Sequence, residues 1–172
     1  MSSVNTAPPY EIIPIDPVVG LPAAWEELRQ QCYGLRVDVF HHEQGFPIDT
    51  EFDDQEDVSV HFLLRLTDPA ESQKPVGTIR LVRKDGYYKL TRLVVLKDYR
   101  QYRYGKALVL ALHRYVREEA KKNGRTVARV VAHSQLPVKG FYAKLGYQPE
   151  GDEFDEDGAP HQKMVANLPV SE

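Results

Sequence analysis

A run of basic residues stands where an apolar strand is expected to pass into a long helix. Arg100, Arg103 and Lys106 lie close to Gly105 within LTRLVVLKDYRQYRYGKALVLALHRYVRE, which covers residues 90–118. The first N–H groups of a helix have no partner inside the helix and carry a partial positive charge, so such a junction can bind an anion. The pattern therefore predicts an anion site, with a surface turn of solvated cations as the alternative.

A later aromatic segment carries a group that could donate a proton. Tyr142 lies in SQLPVKGFYAKLGY, residues 134–147, which also contains the amide side chain of Gln135. A tyrosine hydroxyl within hydrogen-bond reach of a leaving group can act as a general acid, and an amide can hold a polar chain. The alternative for Tyr142 is a core aromatic with a satisfied hydroxyl.

Three other residues are candidates for a general base, namely Glu43, His61 and His161. Carboxylate and imidazole groups can take a proton directly or through water. Each also has a structural alternative. Glu43 would pair with Arg36, His61 would bond to Asp54 or Asp57, and His161 would be fixed in a turn beside Pro160.

Composition limits the class of protein and its partners. The chain has 172 residues, 42% of them hydrophobic and 27% charged, which fits one globular domain. A net charge of -3 supplies no overall cationic field for nucleic acid or an acidic membrane. One cysteine, Cys32, excludes an intramolecular disulfide framework and a multi-cysteine zinc site, and no long apolar run is present. We expect a cytoplasmic or nucleocytosolic protein without a metal, a membrane partner or a nucleic-acid partner.

Two acidic runs, residues 51–57 and 150–157, have several interpretations. Neither keeps the ligand spacing of a calcium-binding loop. They could form a collar that attracts a cationic amine, or they could be solvated surface.

The periodicity of the sequence predicts the elements that position these groups. Residues 1–9 are expected to be loose, and residues 10–172 to form a single domain. Alternating or continuous apolar patterns predict strands over residues 10–15, 58–66, 76–83, 87–96, 126–132 and 162–168. Three- and four-residue spacing predicts helices over residues 21–41 with a break at Gly34, 102–122 and 138–145. Asp85-Gly86 predicts a hairpin turn. The fold class is α/β (mixed α+β), a sandwich around a mixed sheet.

The motifs together resemble the GNAT superfamily of acyl-CoA-dependent N-acetyltransferases. In that family the pyrophosphate loop reads Arg/Gln-x-x-Gly-x-Gly/Ala, and Arg100-Gln-Tyr-Arg-Tyr-Gly105 stands in the same place. Arg103 replaces the first glycine of that pattern. The family's second motif, Asn-x-x-x-x-x-Phe-Tyr-x-Lys-x-Gly-Phe, is similar to the stretch from Gln135 to Tyr147.

Three further segments narrow the resemblance to the ElaA-type branch of the superfamily. These are LRVDVFHHEQGFP (35–47), VHF (60–62) and EDGAPHQKM (156–164), so the similarity runs from about residue 28 to 165. The resemblance implies a GNAT-like fold with a central six- or seven-stranded mixed sheet and about four flanking helices.

The resemblance also implies roles for individual residues. Backbone N–H groups of the strand before the phosphate loop would bind the acyl oxygen and pantetheine, which maps onto Leu93, Val94 and Val95. Tyr142 would protonate the departing thiolate. The implied cofactor-binding residues also include the amide residue Gln135 and the loop residues Arg100, Gln101, Tyr102, Arg103, Tyr104, Gly105 and Lys106.

The function implied is acetyl transfer from acetyl-CoA, used as co-substrate, to a primary amine of a small molecule by direct attack in a ternary complex. The alternative is an acyl-CoA-binding GNAT-like module without turnover, which would serve as a sensor or interaction protein. A third interpretation makes the basic helix and its neighbouring tyrosines a nucleic-acid surface, which the net charge opposes. Many members of the superfamily pair as dimers, so a homodimer stays open.

Overall fold

One mixed sheet forms the centre of the protein, in a computed structural model that describes residues 6–48 and 51–171. Its strands are β1 (Tyr10–Ile15), β2 (Val60–Leu66), β3 (Pro75–Lys84), β4 (Tyr87–Val95), β5 (Val127–Gln135), β6 (Gln148–Pro149), β7 (Phe154–Glu156) and β8 (Ala159–Pro169). The order is β1-β2-β3-β4-β5-β8-β6, with β7 paired to β8. Only the β4–β5 pair is parallel among these pairs of the described chain. The predicted fold class is confirmed, with eight strands in place of six or seven.

Three α-helices flank the sheet, and their bounds are α1 (Trp25–Arg36), α2 (Tyr104–Lys122) and α3 (Lys139–Ala143). A π-helical segment, Val37–Glu43, continues α1 directly. Gly34 lies inside α1 and does not divide it, so the predicted break is wrong. A lone glycine in a helix costs only about 1 kcal/mol, which tertiary packing overrides.

The sheet has an apolar core on each face. One core packs α2 against the sheet through Leu108, Leu112 and Val116. The other core packs α1, through Leu28, Cys32 and Leu35, against residues of the strands such as Leu63. Strand β2 has Phe62 and Leu64 on the α2 side and Leu63 on the α1 side. Burial on both faces explains why β2 reads as a continuous apolar run.

The predicted hairpin at Asp85-Gly86 is confirmed, since β3 and β4 pair from Lys84 and Tyr87 onward. The predicted strand over residues 10–15 is β1. Of the predicted loose segment, residues 1–5 lie outside the described residues. Pro8, in the remainder, accepts a 2.6 Å hydrogen bond from the Tyr104 hydroxyl, which anchors it to α2.

Strands β4 and β5 separate at their C-terminal ends. Their parallel pairing extends only from Tyr88 opposite Val130 to Leu90 opposite Ala132. Beyond this point β5 continues to pair with β8, and the second half of β4 pairs only with β3. Arg92 lies between the two halves of β4 with φ +57°, where the β3–β4 register shifts. The shift is a β-bulge, and it bends β4 away from β5.

Candidate active site

A cavity of about 950 Å³ lies at the separation of β4 and β5. Ten of the predicted site residues line it, and they are Leu93, Val94, Val95, Arg100, Arg103, Gly105, Lys106, Gln135, Tyr142 and His161. The predicted residues that do not line it are Glu43, His61, Gln101, Tyr102 and Tyr104. The sheet therefore brings together residues that are as far apart in sequence as Leu93 and His161.

The end of β4 presents backbone donors to this cavity. The N–H of Leu96 donates to Val76 of β3 at 2.9 Å, and Val94 is the register partner of Thr78. Polar backbone groups alternate in direction along a strand. The N–H groups of Leu93 and Val95 therefore face the gap between β4 and β5, whereas that of Val94 faces β3. The Val94 side chain packs instead into the α1 core.

The basic turn leads from β4 into α2. It is a 3-10 segment, Lys97–Tyr102, followed by Arg103 with φ +61° at the start of the helix. This left-handed conformation is the reason that a glycine suits the position. No side chain caps the first N–H groups of α2. Uncapped N–H groups and the cations of Arg103 and Lys106 thus share one wall of the cavity.

Arg100 connects the basic turn to β4 and to the π-helical segment at this wall of the cavity. Its Nη2 donates to Glu43 Oε2 at 2.6 Å, and its Nε donates to the backbone oxygen of Val95 at 2.9 Å. Glu43 thus pairs with Arg100, not with Arg36. Both side chains are partly exposed, at 43% and 33%, so solvent screens the pair.

The tyrosines of the turn lie outside the cavity. Tyr104 is buried, with its ring 5.7 Å from that of Tyr102 and 5.1 Å from that of Tyr10. Gln101 is exposed. The side chains of Gln101, Tyr102 and Tyr104 therefore do not reach the ligand space of the cavity, although the sequence resemblance had implied all three as binding residues.

Tyr142 belongs to α3 and lines the cavity between β4 and β5. It is 7% exposed, and its ring packs edge-on against Phe141 and Tyr147. Its hydroxyl makes no hydrogen bond to the residues that the structure describes. Burial raises the pKa of the phenol, so Tyr142 is protonated at neutral pH. Within the described part of the chain, the hydroxyl is therefore a donor without a partner.

Gln135 is the last residue of β5, and it also lines the cavity. Its Nε2 donates to Gln44 Oε1 at 3.2 Å, across to the segment that follows the π-helical turn. This amide pair spans the cavity mouth between β5 and the α1 side.

His161 enters the cavity from the start of β8. Its Nδ1 donates to the backbone oxygen of Ala159 at 2.8 Å, which leaves Nε2 as the basic nitrogen. That Nε2 is 3.7 Å from Glu156 Oε2. Glu156 Oε1 accepts a 3.0 Å hydrogen bond from Nδ1 of His133, which also lines the cavity. This bond is the main cause of the lowered pKa of Glu156, which burial opposes.

His61 has a structural position. It is 2% exposed, and its Nε2 donates to the backbone oxygen of Glu56 at 2.9 Å. Burial lowers its pKa to about 4, so the imidazole is neutral at physiological pH. Its partner is the backbone of Glu56 instead of an acidic side chain from the run.

Part of the 51–57 run is a network of buried ion pairs. Arg36 Nε is 2.6 Å from Glu51 Oε1, and its Nη2 is 2.6 Å from Glu56 Oε1. Arg80 contacts Asp53 at 2.8 Å and Glu56 at 2.7 Å. Burial of Asp53 is outweighed by its bonds to Arg80, and its pKa falls to about 2. Glu51, Asp53 and Glu56 are thus matched by arginines, whereas Asp54 and Asp57 are exposed at the surface.

Sequence reasoning missed several groups at the cavity, namely Glu156, Lys89, Arg80 and Arg92, and it ranked His133 low as a base because His133 matches no motif. His133 had a usable signal, because it stands two residues before Gln135 in a strand and so shares its face. Glu156 had none, because only the tight β7–β8 turn brings it back to β5.

No group of three His, Cys, Asp or Glu residues in ranges 6–48 and 51–171 is arranged to hold a metal ion. Within the same ranges, no helix has the length and apolar character needed to cross a membrane.

Comparison with known proteins places this fold and cavity in a family. The family model for an acetyltransferase (GNAT) domain matches residues 60–168. A Bacillus subtilis protein whose name describes it as an acetyltransferase is 37% identical over 136 residues, covering 78% of this chain and 86% of the relative. The chain belongs to the GNAT acetyltransferase family and is an acyltransferase.

Solved structures agree with this assignment. A Lactobacillus plantarum protein titled as an N-acetyltransferase superposes with a TM-score of 0.73 at 29% identity, covering 93% of this chain and 99% of that one. Escherichia coli ElaA has the same fold, with a TM-score of 0.69 at 22% identity, covering 91% of this chain and 99% of that one. The resemblance of the sequence motifs to the GNAT superfamily is confirmed.

Proposed function

We propose that the protein is an acetyl-CoA-dependent N-acetyltransferase that acts on a primary amine of a small molecule by direct attack in a ternary complex. One observation carries the proposal. The gap between β4 and β5 holds unpaired backbone donors, an uncapped basic helix start and the Tyr142 hydroxyl in one cavity. Acetyl-CoA supplies an activated thioester when it binds there.

The cationic wall suits the phosphate groups of acetyl-CoA. Arg103 and Lys106 supply charge-assisted hydrogen bonds, and the first N–H groups of α2 supply neutral ones. Arg100 lies at the same wall, tied to Glu43 and Val95. Gln135 is placed to bond the pantetheine arm.

The N–H groups of Leu93 and Val95 are the donors for the acyl oxygen and the pantetheine amides. They are part of a sheet and so are already oriented before reaction. One such preorganised donor contributes roughly 3 kcal/mol to acyl transfer. Tyr142 donates its hydroxyl hydrogen to the departing sulfur, and its burial keeps that hydrogen in place.

Of the three candidate bases, His161 fits best. Its Nε2 is the unprotonated nitrogen of an imidazole held at Nδ1 by Ala159, and it lines the cavity. Accepting the amine proton creates an imidazolium, which Glu156 at 3.7 Å stabilises. Glu43 is held by Arg100 and His61 is buried outside the cavity. Within this proposal Glu43 is a positioning residue for Arg100, and His61 is part of the packing.

We also propose a cytoplasmic location. The support is the single cysteine, Cys32, which is a free thiol on the buried face of α1.

Calorimetry combined with kinetics tests the proposed function. We expect acetyl-CoA and CoA to bind, and Arg103→Ala to weaken binding about 10-fold because a charge-assisted phosphate contact is lost. Lys121→Ala, an exposed change at the far end of α2, is the matched control. Tyr142→Phe should keep the acetyl-CoA affinity and reduce kcat at least about 10-fold.

Two other outcomes would contradict the proposal in different ways. Binding of acetyl-CoA without transfer to any of a broad amine panel would favour the acyl-CoA-binding module. Absence of binding by the wild-type protein would show that Arg103 blocks the phosphate turn.

A further inference from the structure

A second, smaller cavity adjoins the candidate active site on the α1 face of the sheet. Its volume is about 290 Å³, and it shares Lys89 and His133 with the larger cavity. We call it the basic pocket, because its charged lining consists of Lys84, Lys89, Arg129 and Lys163 beside His133. Lys89 and His133 therefore form the partition between the two cavities.

The basic pocket has an excess of positive charge. No carboxylate lines it. Glu150 lies at its rim, 3.1 Å from Arg129 and 3.0 Å from Lys163, and is about half exposed. Four cations thus face two carboxylates, Glu150 at the rim and Glu156 bonded to His133, so positive charge remains in excess and an anion of appropriate size would be attracted.

Lys89 differs from the buried arginines Arg36 and Arg80. Arg36 and Arg80 are each held by two carboxylates. Lys89 has neither an ion pair nor a hydrogen bond within the described ranges, and burial lowers its pKa. Glu156, the nearest acid acting on it, is hydrogen-bonded to His133. A partly buried ammonium group without a partner is a position that a ligand anion would stabilise.

The distance from the reacting centre limits what such a ligand can be. Lys89 pairs with Val82, and Leu93 lies in the bulge opposite Thr78 to Arg80, so about three residues of β3, roughly 10 Å, separate the two positions. An anionic group held at Lys89 must therefore stand several bonds away from an amine that attacks near Leu93. The carboxylate of an α-amino acid, next to its own amine, is too close.

We propose that the basic pocket is an anion subsite of the acceptor site, so that the preferred acceptor is a primary amine with a carboxylate or phosphate several bonds from its nitrogen. This inference rests on the proposed function, since it assumes acyl transfer in the larger cavity. Glu156 and Asp157 face the cavity on the amine side of the partition, where they suit an ammonium group. The two cavities would thus bind the two ends of one zwitterionic molecule.

A matched acceptor series tests the anion subsite. ω-Aminohexanoate, ω-aminohexyl phosphate and ω-aminohexanol share one chain length and differ only in the terminal group. We expect kcat/KM at least about 10-fold higher for one or both anionic acceptors than for the alcohol. The anion with the higher value identifies the terminal group. Lys89→Gln should remove this preference and leave kcat/KM for the alcohol within about twofold of the wild-type value. The control variant Lys121→Gln should keep the preference for the anionic acceptors.

Equal kcat/KM values for the three acceptors would overturn the subsite and leave the transferase intact. A loss shared equally by all three acceptors in Lys89→Gln would also overturn it. That result would show that Lys89 only maintains the structure.

A binding arm separates this proposal from failure of the proposed function. Hexanoate and hexyl phosphate, which have no amine, are titrated into isotopically labelled protein with CoA in excess. Shifts of the His133 ring resonances that disappear in Lys89→Gln would support the pocket, even if no amine is acetylated. Absence of shifts with both anions would overturn it.

Discussion

At the residue scale, histidine serves three separate purposes in this protein. His161 lies at the cavity with one nitrogen fixed by Ala159. His133 holds Glu156 in place. His61 and His113 are buried and neutral, and burial lowers the pKa of each to about 4. The surroundings, not the residue type, decide which of these rings can exchange a proton in catalysis.

Substitution of the proposed base should slow the transfer. We expect His161→Gln to lower kcat/KM about 100-fold, because the proton acceptor is lost. His133→Gln, which disturbs the orientation of Glu156, should lower kcat/KM less. Steady-state kinetics of both variants is the measurement. A kcat/KM for His161→Gln equal to that of the wild type would reassign the base.

The buried histidines should make the fold sensitive to acid. Their folded pKa of about 4 lies below the unfolded value of 6.5, so the unfolded chain binds protons first as the pH falls. Stability is therefore complete above pH 6.5 and declines toward pH 4. Each ring should contribute a loss of about 2 kcal/mol between pH 7.5 and pH 5.

His113 offers the cleaner test, because among the described residues its Nε2 has one hydrogen-bond partner, the Tyr147 hydroxyl at 2.8 Å. Urea unfolding of His113→Gln at both pH values should show the pH dependence reduced by about 2 kcal/mol. The exposed change His42→Gln is the control. A slope equal to that of the wild type would refute the assignment.

At the scale of elements, the sequence predicted which segments are helices and strands better than it predicted where those elements extend or bend. The Asp-Gly hairpin and the continuous apolar β2 were readable because local patterns determine them. The π-helical extension of α1 could not be predicted, because helix periodicity does not show where one extra residue enters a turn. The bulge at Arg92 was equally hidden, since no glycine marks it.

Two substitutions of Arg103, at the junction of β4 with α2, distinguish the effect of backbone strain from the effect of charge. Arg103 adopts φ +61°, which costs an L-residue roughly 1–2 kcal/mol relative to glycine. Arg103→Gly should therefore be about 1 kcal/mol more stable than Arg103→Ala in urea unfolding. Both variants should lose acetyl-CoA affinity equally, because both lack the cation. Different affinities would mean that loop geometry, not charge, controls binding.

The loop over residues 51–57 is attached to α1 by Arg36, which is 1% exposed. Arg36→Met should cost about 3–5 kcal/mol, because Glu51 and Glu56 each lose a buried partner. Adding Glu51→Gln should recover part of that loss, which urea unfolding can measure. Asp57→Asn, at an exposed pair, should cost less than about 1 kcal/mol. If Arg36→Met cost no more than this control, the network would not anchor the loop.

At the scale of the whole molecule, the motifs identified the family and the CoA loop, and the fold supplied the acceptor side. Arg100 to Lys106 and Tyr142 are close together in motifs, so sequence alone could group them. The residues Lys89, His133 and Glu156 come from three strands that meet only through sheet pairing. A net charge of -3 also concealed a local basic pocket, because the acids are used in ion pairs elsewhere.

Ligand binding should stabilise the whole domain. Acetyl-CoA at 100 times its Kd adds about 2.7 kcal/mol to the free energy of unfolding, which raises the Tm by roughly 5–10 °C for a domain of this size. Thermal melts of the wild type and Arg103→Ala at the same ligand concentration would show a smaller rise in the variant. Equal rises would place the ligand elsewhere.

The most direct measurement follows the acetyl group itself. Acetyl-CoA labelled in its acetyl carbons is incubated with the wild-type protein and a panel of primary amines, and products are identified by mass spectrometry. We expect a labelled N-acetyl amine formed in equal amount with free CoA, and formed at least about 10-fold more slowly with Tyr142→Phe. Bound acetyl-CoA with no labelled amine from any member of the panel would contradict this expectation.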